Sequence, residues 1–249
     1  SGQGVSAGAA ARPRRSRRSA GRPLRDPAAM KESNDRTPAV KHAFITGASG
    51  FIGGYTVRRF TDEGWHVFAL VHRAASPELV RLAGAGSVTL VSGDIRDPAG
   101  LRAALASAQA ERGAALDAVV HCAARVSDVG RRREFRRTNF DAVRDLVELV
   151  KDRGVGRLVF ISTTDVYGLR DFRGESEDEL PLAARPRNPY PEFKIAAERL
   201  IRAELPPERF AILRPAQVWG VGDPTLTARI VSVMRRSPWI IHFGRWRGR

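Results

Sequence analysis

Tyr190 and Lys194 are the two side chains in this sequence whose types and spacing best fit acid–base chemistry. On a helix, residues four apart share a face, so the phenol and the ammonium would project side by side. A free tyrosine has a pKa of about 10 and is a poor base at neutral pH, but a neighbouring positive charge favours the phenolate and lowers that pKa. The pair could therefore move a proton to or from a substrate oxygen. Taken alone, such a pair is usually a solvated helix face, so the interpretation depends on its surroundings.

A glycine-rich turn provides the first of these surroundings. Its sequence is Thr-Gly-Ala-Ser-Gly-Phe-Ile-Gly, from Thr46 to Gly53. The backbone N–H groups of such a turn, together with the N-terminus of the next helix, can bind the pyrophosphate of a dinucleotide. The turn follows a predicted strand and precedes a predicted helix, as this type of site requires. The predicted cofactor contacts in this turn are Gly47, Ser49, Gly50, Phe51, Ile52 and Gly53.

Elements that could position these residues begin at residue 41, where short apolar segments start to alternate with amphipathic helical segments. Strands are predicted over 42–46, 66–71, 88–91, 117–121, 157–161 and 209–213, and helices over 51–63, 77–83, 98–112, 134–152, 188–204 and 226–234. Strands alternating with helices of this length predict right-handed βαβ units and a parallel sheet. The apolar strands indicate a sheet covered on both faces. The predicted fold is therefore α/β, a Rossmann-type doubly wound parallel sheet.

Further short motifs follow the glycine turn in order along the chain. They are Gly93-Asp94-Ile95-Arg96-Asp97, His121-Cys122-Ala123-Ala124, Thr138-Asn139, Ser162-Thr163-Thr164-Asp165-Val166-Tyr167-Gly168, and Leu213-Arg214-Pro215 with Val218-Trp219-Gly220. Together with the glycine spacing and the Tyr-x-x-x-Lys motif, they resemble the extended short-chain dehydrogenase/reductase family, also called the NAD-dependent epimerase/dehydratase family. The resemblance covers about residues 41–225.

This resemblance implies a nicotinamide cofactor and gives individual residues a role. Tyr190 would be the acid–base catalyst, Lys194 would also bind the nicotinamide ribose, and the Thr163 hydroxyl would polarise the substrate oxygen. Ser162 is the second choice for that hydroxyl. Asp94 would be the polar contact to adenine. The cofactor-binding residues implied outside the glycine turn are Asp94, Ile95, Ala123, Ala124, Tyr190 and Lys194.

The end of the second strand bears on the choice between NAD and NADP. NAD-preferring dinucleotide folds carry an acidic residue there, which binds the ribose 2′-hydroxyl. Here Val71 occupies roughly that place, and His72 and Arg73 follow it. A guanidinium at this point could bind a 2′-phosphate, although a solvated loop arginine is the alternative. The sequence therefore favours NADP over NAD, with Arg73 as a cofactor contact.

Three other polar residues need no catalytic role. Asn139 could order the site or tie a helix to a strand, and we favour the second. His121 is expected to belong to the turn after the fourth strand, and Cys122 to be a small buried residue. No Cys/His cluster has metal-ligand spacing, so no metal site is expected.

Several reactions fit the resemblance. Dehydratases of the family carry an Asp-Glu pair directly after the catalytic threonine, whereas this chain has Thr164-Asp165, which disfavours dehydration. The segment 123–130 is more similar to the hydroxysteroid dehydrogenase and reductase branch. The first expectation is an NAD(P)-dependent oxidoreductase acting on a small-molecule alcohol or ketone. A sugar-nucleotide epimerase is the alternative.

The net charge of +15 over 249 residues is also compatible with a different functional class, namely a non-catalytic dinucleotide sensor or a nucleic-acid-binding protein. An arginine cluster within 131–137 would suit a phosphate-rich partner. The complete Thr163, Tyr190 and Lys194 set and the lack of an aromatic stacking platform disfavour nucleic acid. No segment is long and apolar enough to span a bilayer. The single cysteine is typical of a reducing compartment, so a cytoplasmic protein is expected.

Three regions are predicted along the chain. Residues 1–38 are basic, lack apolar periodicity and are expected to be disordered. Residues 39–220 would form the NAD(P)-binding Rossmann domain with the catalytic pair. Residues 221–249 would be the start of a truncated, incomplete C-terminal substrate-binding part. The resemblance also implies a homodimer whose four-helix interface would include the Tyr190 helix.

Overall fold

Strands and helices alternate along the part of the chain that the computed structural model describes, residues 39–236 except 128, 171, 178 and 225. The strands are β1 His42–Thr46, β2 His66–Val71, β3 Val88–Ser92, β4 Ala118–His121, β5 Arg157–Ile161 and β6 Phe210–Leu213. The helices are α1 Phe51–Asp62, α2 Pro77–Gly84, α3 Pro98–Arg112, α4 Arg132–Arg136, α5 Ala142–Asp152, α6 Pro189–Glu204 and α7 Leu226–Arg236. The predicted disorder of residues 1–38 lies outside the described residues.

The six strands form one parallel sheet in the order β3-β2-β1-β4-β5-β6. The predicted doubly wound Rossmann-type sheet is confirmed. The chain builds outward from β1 to β3, then crosses back to place β4 on the other side of β1. Ligands of such sheets bind at this reversal, outside the carboxyl ends of the strands. The turn after β1 and the segment after β4 both lie there.

Successive strand residues point to opposite faces of the sheet, and both sets are apolar. Helices therefore pack against both faces. Phe44 points to a core formed with α3, α5 and α6, in which Leu105, Leu146 and Ile201 are fully buried. Its neighbour Ile45 points to the opposite core, formed with α1 and α2. Burial of apolar surface at about 25 cal/mol per Å² is what fixes the helices on the sheet. The carboxyl ends of the strands are thereby held in a rigid frame.

A single π-helical turn, Arg137–Asp141, joins α4 to α5 and interrupts the long helix predicted for this region. Such turns occur frequently at functional sites. Asn139 in this turn is buried, and its side-chain amide donates to the Arg125 carbonyl oxygen and accepts from the Arg125 N–H, at 3.0 and 2.8 Å. The expectation that Asn139 ties a helix to the sheet is confirmed, because the segment it holds directly follows β4.

Helix α7 is the described part of the region predicted to begin a substrate-binding part. Its Ile230, Val233 and Met234 side chains are exposed. None of the described helices has the length and apolarity needed to cross a membrane. Among the described residues no group of His, Cys, Asp or Glu is arranged to hold a metal ion.

Candidate active site

The glycine turn packs so tightly that side chains are excluded from it. Gly47 has φ +69°, and a Cβ built on it would lie 2.6 Å from the Ala123 nitrogen. A Cβ on Gly53 would collide with the Gly47 carbonyl oxygen. Gly50 is the N-cap of α1 and makes no side-chain cap, which leaves the N–H groups of the first helical turn without a side-chain acceptor. This backbone surface suits a phosphate group.

A cleft of about 1100 Å³ extends from this turn across the carboxyl ends of β1 to β4. It is larger than typical drug-sized pockets, which reach about 1,000 Å³, and it has room for a dinucleotide. The predicted residues that line it are Gly47, Ser49, Gly50, Arg73, Asp94, Ile95, Ala123 and Ala124. The glycine cradle, the uncapped helix and the volume together fit a nicotinamide dinucleotide.

Three residues of the predicted glycine turn, Phe51, Ile52 and Gly53, are not among those that line the cleft. The side chains of Phe51 and Ile52 line a separate apolar groove of about 700 Å³ between α1 and β6. Only their backbone can face the cleft. Gly53 supports Gly47 from behind. The Ser49 hydroxyl donates to the Ala74 carbonyl oxygen at 2.9 Å and so ties the turn to the segment after β2.

The predicted catalytic residues meet at the carboxyl end of β5. The Thr163 side chain caps the short 3₁₀ turn Thr164–Tyr167, accepting from the Asp165 N–H at 3.2 Å, and its hydroxyl lies close enough to the Tyr190 phenol to influence the pKa of that phenol. Asn188 caps the start of α6 by accepting from the Tyr190 N–H at 2.9 Å. The buried Lys194 ammonium donates to the carbonyl oxygen of Ile161, the last residue of β5, at 2.6 Å.

Burial shifts the pKa values of both Tyr190 and Lys194. It raises the pKa of Tyr190 to about 12, the negative charge of Asp165 adds to this, and the neighbouring Thr163 hydroxyl opposes it. Burial also lowers the pKa of Lys194 to about 8. The expectation that Lys194 lowers the pKa of the phenol is therefore wrong for this structure. Desolvation of the phenolate outweighs the ammonium, whose charge is turned toward the Ile161 carbonyl and lies 4.4 Å from the centre of the Phe160 ring.

The model of the NAD dependent epimerase/dehydratase family matches residues 43–237 of this chain. That match includes the glycine turn, the cleft and the Tyr190 helix. The chain belongs to this family.

Individual relatives agree with that assignment. The chain is 29% identical to 2-alkyl-3-oxoalkanoate reductase of Stenotrophomonas maltophilia (strain K279a), covering 77% of this chain and 55% of the relative. It is 26% identical to the sterol-4-alpha-carboxylate 3-dehydrogenase, decarboxylating, of Homo sapiens, covering 86% of this chain and 57% of that enzyme. The chain therefore spans little more than half the length of these curated relatives.

A solved structure gives the same result. The chain resembles MoeE5 in complex with UDP-glucuronic acid and NAD, with a TM-score of 0.63 and 29% identity, over 77% of this chain and 60% of MoeE5. That structure contains a nicotinamide dinucleotide, NAD.

Near Tyr190 and Lys194, the predicted catalytic pair, lies a buried ion pair between α6 and the segment after β6. Glu198 is completely buried, and its carboxylate accepts from the Arg214 guanidinium at 2.6 Å. Arg214 also donates to the Tyr167 hydroxyl at 2.8 Å. The Ser162 hydroxyl donates to Glu198 at 2.5 Å. Ser162 is thus engaged in this network, which leaves Thr163 as the hydroxyl that faces Tyr190.

His121 is buried at the end of β4, and Cys122, which follows it, lines the cleft. The His121 ring is buried, hydrogen-bonded to the Thr46 hydroxyl at 2.9 Å and stacked on Phe160. Burial, aided by the charge of Lys194, lowers the pKa of His121 to about 3, so the ring is neutral. Burial raises the pKa of the Cys122 thiol to about 11. His121 is the last residue of β4 rather than part of the turn after it, and Cys122 is partly buried rather than fully buried as predicted.

At the opposite end of the cleft, sequence reasoning missed Arg96. Its guanidinium forms a two-pronged pair with Asp94, at 3.0 and 2.7 Å, and this pairing lowers the pKa of Asp94 to about 2. His72 lies 3.2 Å from the same carboxylate. Arg73 makes no ion pair with any of the residues that the structure describes. The signal for Arg96 was its position two residues after Asp94, in the same loop.

The arginine cluster within 131–137 is partly neutralised by acids. Arg132 is paired with Glu192, next to the catalytic tyrosine, and stacks on Phe193. Arg133 and Arg137 line the cleft itself. Part of this positive charge therefore faces the cleft and the α6 N-terminus, while Arg136 and Arg137 also line a smaller pocket together with Arg96 and Arg144.

Proposed function

We propose that this chain forms the cofactor-binding and catalytic part of an oxidoreductase that moves hydride between NADP and an alcohol or ketone. The observation that carries the proposal is that Thr163 and Tyr190 lie together at the carboxyl end of β5, in the same sheet whose β1 to β4 ends carry the glycine-floored cleft. The names of two relatives, an oxoalkanoate reductase and a sterol dehydrogenase, support this class of reaction.

The high pKa of Tyr190 suits it to ketone reduction. A phenol with a pKa of about 12 keeps its proton at neutral pH and is ready to donate it to the oxygen of a carbonyl. Thr163 would hydrogen-bond the same oxygen and stabilise the charge that develops on it. The nicotinamide, when bound, supplies or accepts the hydride. Lys194, with a pKa of about 8, carries a positive charge in most molecules at neutral pH. Its ammonium anchors α6 to the end of β5 by donating to the Ile161 carbonyl oxygen.

The preference for NADP is supported by the charges at the far end of the cleft. The ribose 2′-position of a bound dinucleotide is expected near the end of β2, where His72 and Arg73 line the cleft. The nearby carboxylate, Asp94, is already paired with Arg96. A 2′-phosphate would therefore meet an excess of positive charge, whereas a 2′-hydroxyl would lack a free carboxylate partner.

A sugar-nucleotide epimerase of the same family is the second candidate. The similarity to MoeE5, whose structure holds UDP-glucuronic acid and NAD, favours it. An epimerase returns the hydride to its own intermediate, so the reduced cofactor is not consumed. A simple reductase consumes one reduced cofactor for each ketone. Cofactor consumption therefore separates the two candidates.

The proposal is tested by titrating the chain with NADPH and NADH in a calorimeter, and then adding a panel of 3-oxo acids and cyclic ketones. We expect NADPH to bind at least about tenfold more tightly, which corresponds to about 1.4 kcal/mol. We also expect the absorbance of the reduced nicotinamide to fall in step with ketone. Tighter binding of NADH would overturn the preference for NADP. Isomerisation of a UDP-sugar without net loss of reduced cofactor would favour the epimerase.

A further inference from the structure

Four side chains converge at the adenosine end of the cleft, namely Arg96, Asp94, His72 and Arg73, and all four line it. Both oxygens of the Asp94 carboxylate accept from the Arg96 side chain, and one of them also accepts from the Arg96 backbone N–H at 2.9 Å. Arg96 Nη2 lies 3.5 Å from His72 Nε2. One guanidinium and one imidazole thus share the Asp94 carboxylate, while Arg73 lines the same end of the cleft without pairing with it.

The Asp94–Arg96 pair is open to solvent rather than locked in the core. The side chains of Arg96 and Asp94 are 38% and 26% exposed. An ion pair with this exposure contributes only about 0–1 kcal/mol, because water competes for both partners. A dianionic phosphate placed beside it is a stronger acceptor than a single carboxylate, and arginine binds phosphate in the same two-pronged geometry.

The same carboxylate is also the residue that the family resemblance assigns to adenine. A carboxylate whose oxygens are both engaged by a guanidinium is a weaker acceptor for the adenine amino group. If the guanidinium turns toward a phosphate, the carboxylate is released for adenine. The two events would then reinforce one another, and a ligand without the phosphate would obtain neither.

We propose that Arg96 is a second guanidinium of a 2′-phosphate site, acting with Arg73, and that it exchanges its partner from Asp94 to this phosphate when the cofactor binds. The exchange makes Arg96 a specificity-determining residue for NADP. This inference rests on the proposed NADP preference and adds to it a residue and a means of selection. The segment that carries Arg96 is held by Arg137, which donates to the Arg96 carbonyl oxygen at 3.4 Å, so the loop stays in place while the side chain turns.

The test compares adenosine 2′,5′-bisphosphate with 5′-AMP, two probes that differ only in the 2′-phosphate. Their affinities are measured by calorimetry for the unaltered chain and for Arg96→Gln, Arg73→Gln and Asp94→Asn. Arg81→Gln is the matched control, because Arg81 forms the same kind of two-pronged pair with Glu78, at 3.0 and 2.8 Å, on α2. Thermal unfolding of every variant confirms that it is folded.

We expect Arg96→Gln to weaken the bisphosphate by roughly ten- to a hundredfold, the usual cost of a charged hydrogen-bonded contact, and to change 5′-AMP by less than about threefold. Asp94→Asn should raise the ratio of bisphosphate to 5′-AMP affinity, because it frees Arg96. Arg81→Gln should change neither ligand. Equal weakening of both probes by Arg96→Gln would mean that Arg96 only supports the loop, and would overturn the inference.

The failure of the inference and the failure of the proposed function have different signatures. If the unaltered chain prefers the bisphosphate, and this preference survives Arg96→Gln but is lost in Arg73→Gln, only the role of Arg96 is overturned. If the unaltered chain binds both probes equally, the preference for NADP fails, and the exchange fails with it.

Discussion

Two arginine–carboxylate pairs, one at each end of the site, have nearly the same contact geometry but opposite surroundings. Arg214 and Glu198 lie behind the catalytic tyrosine, with side chains 8% and 0% exposed. Arg96 and Asp94 lie at the adenosine end, with side chains 38% and 26% exposed. The closest contacts are 2.6 and 2.7 Å. The difference between the pairs therefore comes from water, not from distance.

Burial makes the first pair a fixed part of the frame and leaves the second free to change partners. A buried charge that loses its partner remains in a medium that solvates it poorly, so the pair separates at a high cost. An exposed pair loses little when water replaces one member. The catalytic end thus has a single arrangement, held by Glu198, Ser162 and Tyr167, whereas the adenosine end can respond to the ligand.

The largest expected effect concerns chemistry at the catalytic end. Tyr190→Phe removes the phenol hydroxyl that lies beside Thr163 at the carboxyl end of β5. We expect turnover to fall on the order of 10²–10⁴-fold, as for loss of a general acid. Cofactor affinity should stay within about threefold, because discrimination of the cofactor lies at the other end of the cleft.

Steady-state kinetics and calorimetry on the same preparation would check this separation. Tyr55→Phe is the matched control, since the Tyr55 hydroxyl donates to the Val221 carbonyl oxygen, outside the cofactor cleft. A tenfold loss of cofactor affinity in Tyr190→Phe would contradict the assignment of proton transfer to one end of the site and cofactor discrimination to the other.

The next effect compares the stabilities of the two pairs directly. Arg214→Met leaves Glu198 buried without its cation, and we expect the free energy of unfolding to fall by about 3–5 kcal/mol. Arg96→Met should lower it by about 0–1 kcal/mol. Urea unfolding followed by circular dichroism measures both. The double variant Arg214→Met with Glu198→Met should recover part of the loss, because no charge is left unpaired. Equal losses from the two single variants would show that burial does not distinguish the pairs.

The smallest effect is electrostatic tuning of Tyr190. The charge of Asp165 helps to raise the pKa of the phenol, so Asp165→Asn should lower that pKa. In alcohol oxidation Tyr190 acts as a base and is active as phenolate, so the rate rises with pH through its pKa. The variant should therefore move this rise to lower pH. A pH–rate profile measures the shift, with Asp152→Asn on α5 as a control of equal charge. An unchanged profile would contradict the contribution of Asp165.

The catalytic part of the site was predictable because its residues are fixed by local pattern. The strand and helix bounds follow from apolar periodicity and differ from the structure by two residues at most, apart from the π-helical turn and the short 3₁₀ turns. The glycine turn was recognised from its spacing between a predicted strand and a predicted helix, and Tyr190 and Lys194 from their spacing together with the other motifs in order along the chain. Thr163 was the first choice over Ser162, and the engagement of Ser162 by Glu198 supports that choice. The predictions of a homodimer and of the cytoplasm remain predictions.

The sequence by itself determined the order of strands and helices and the set of side chains at the carboxyl ends of the strands, because periodicity and turn chemistry act over a few residues. Only the tertiary structure decided that burial raises the pKa of Tyr190, that Phe51 and Ile52 face a second groove, and that Arg214 pairs with Glu198 in the interior. Each of these depends on how much water reaches a group and on what lies beside it across the fold. Burial and long-range pairing are properties of the packed chain, and no local pattern encodes them.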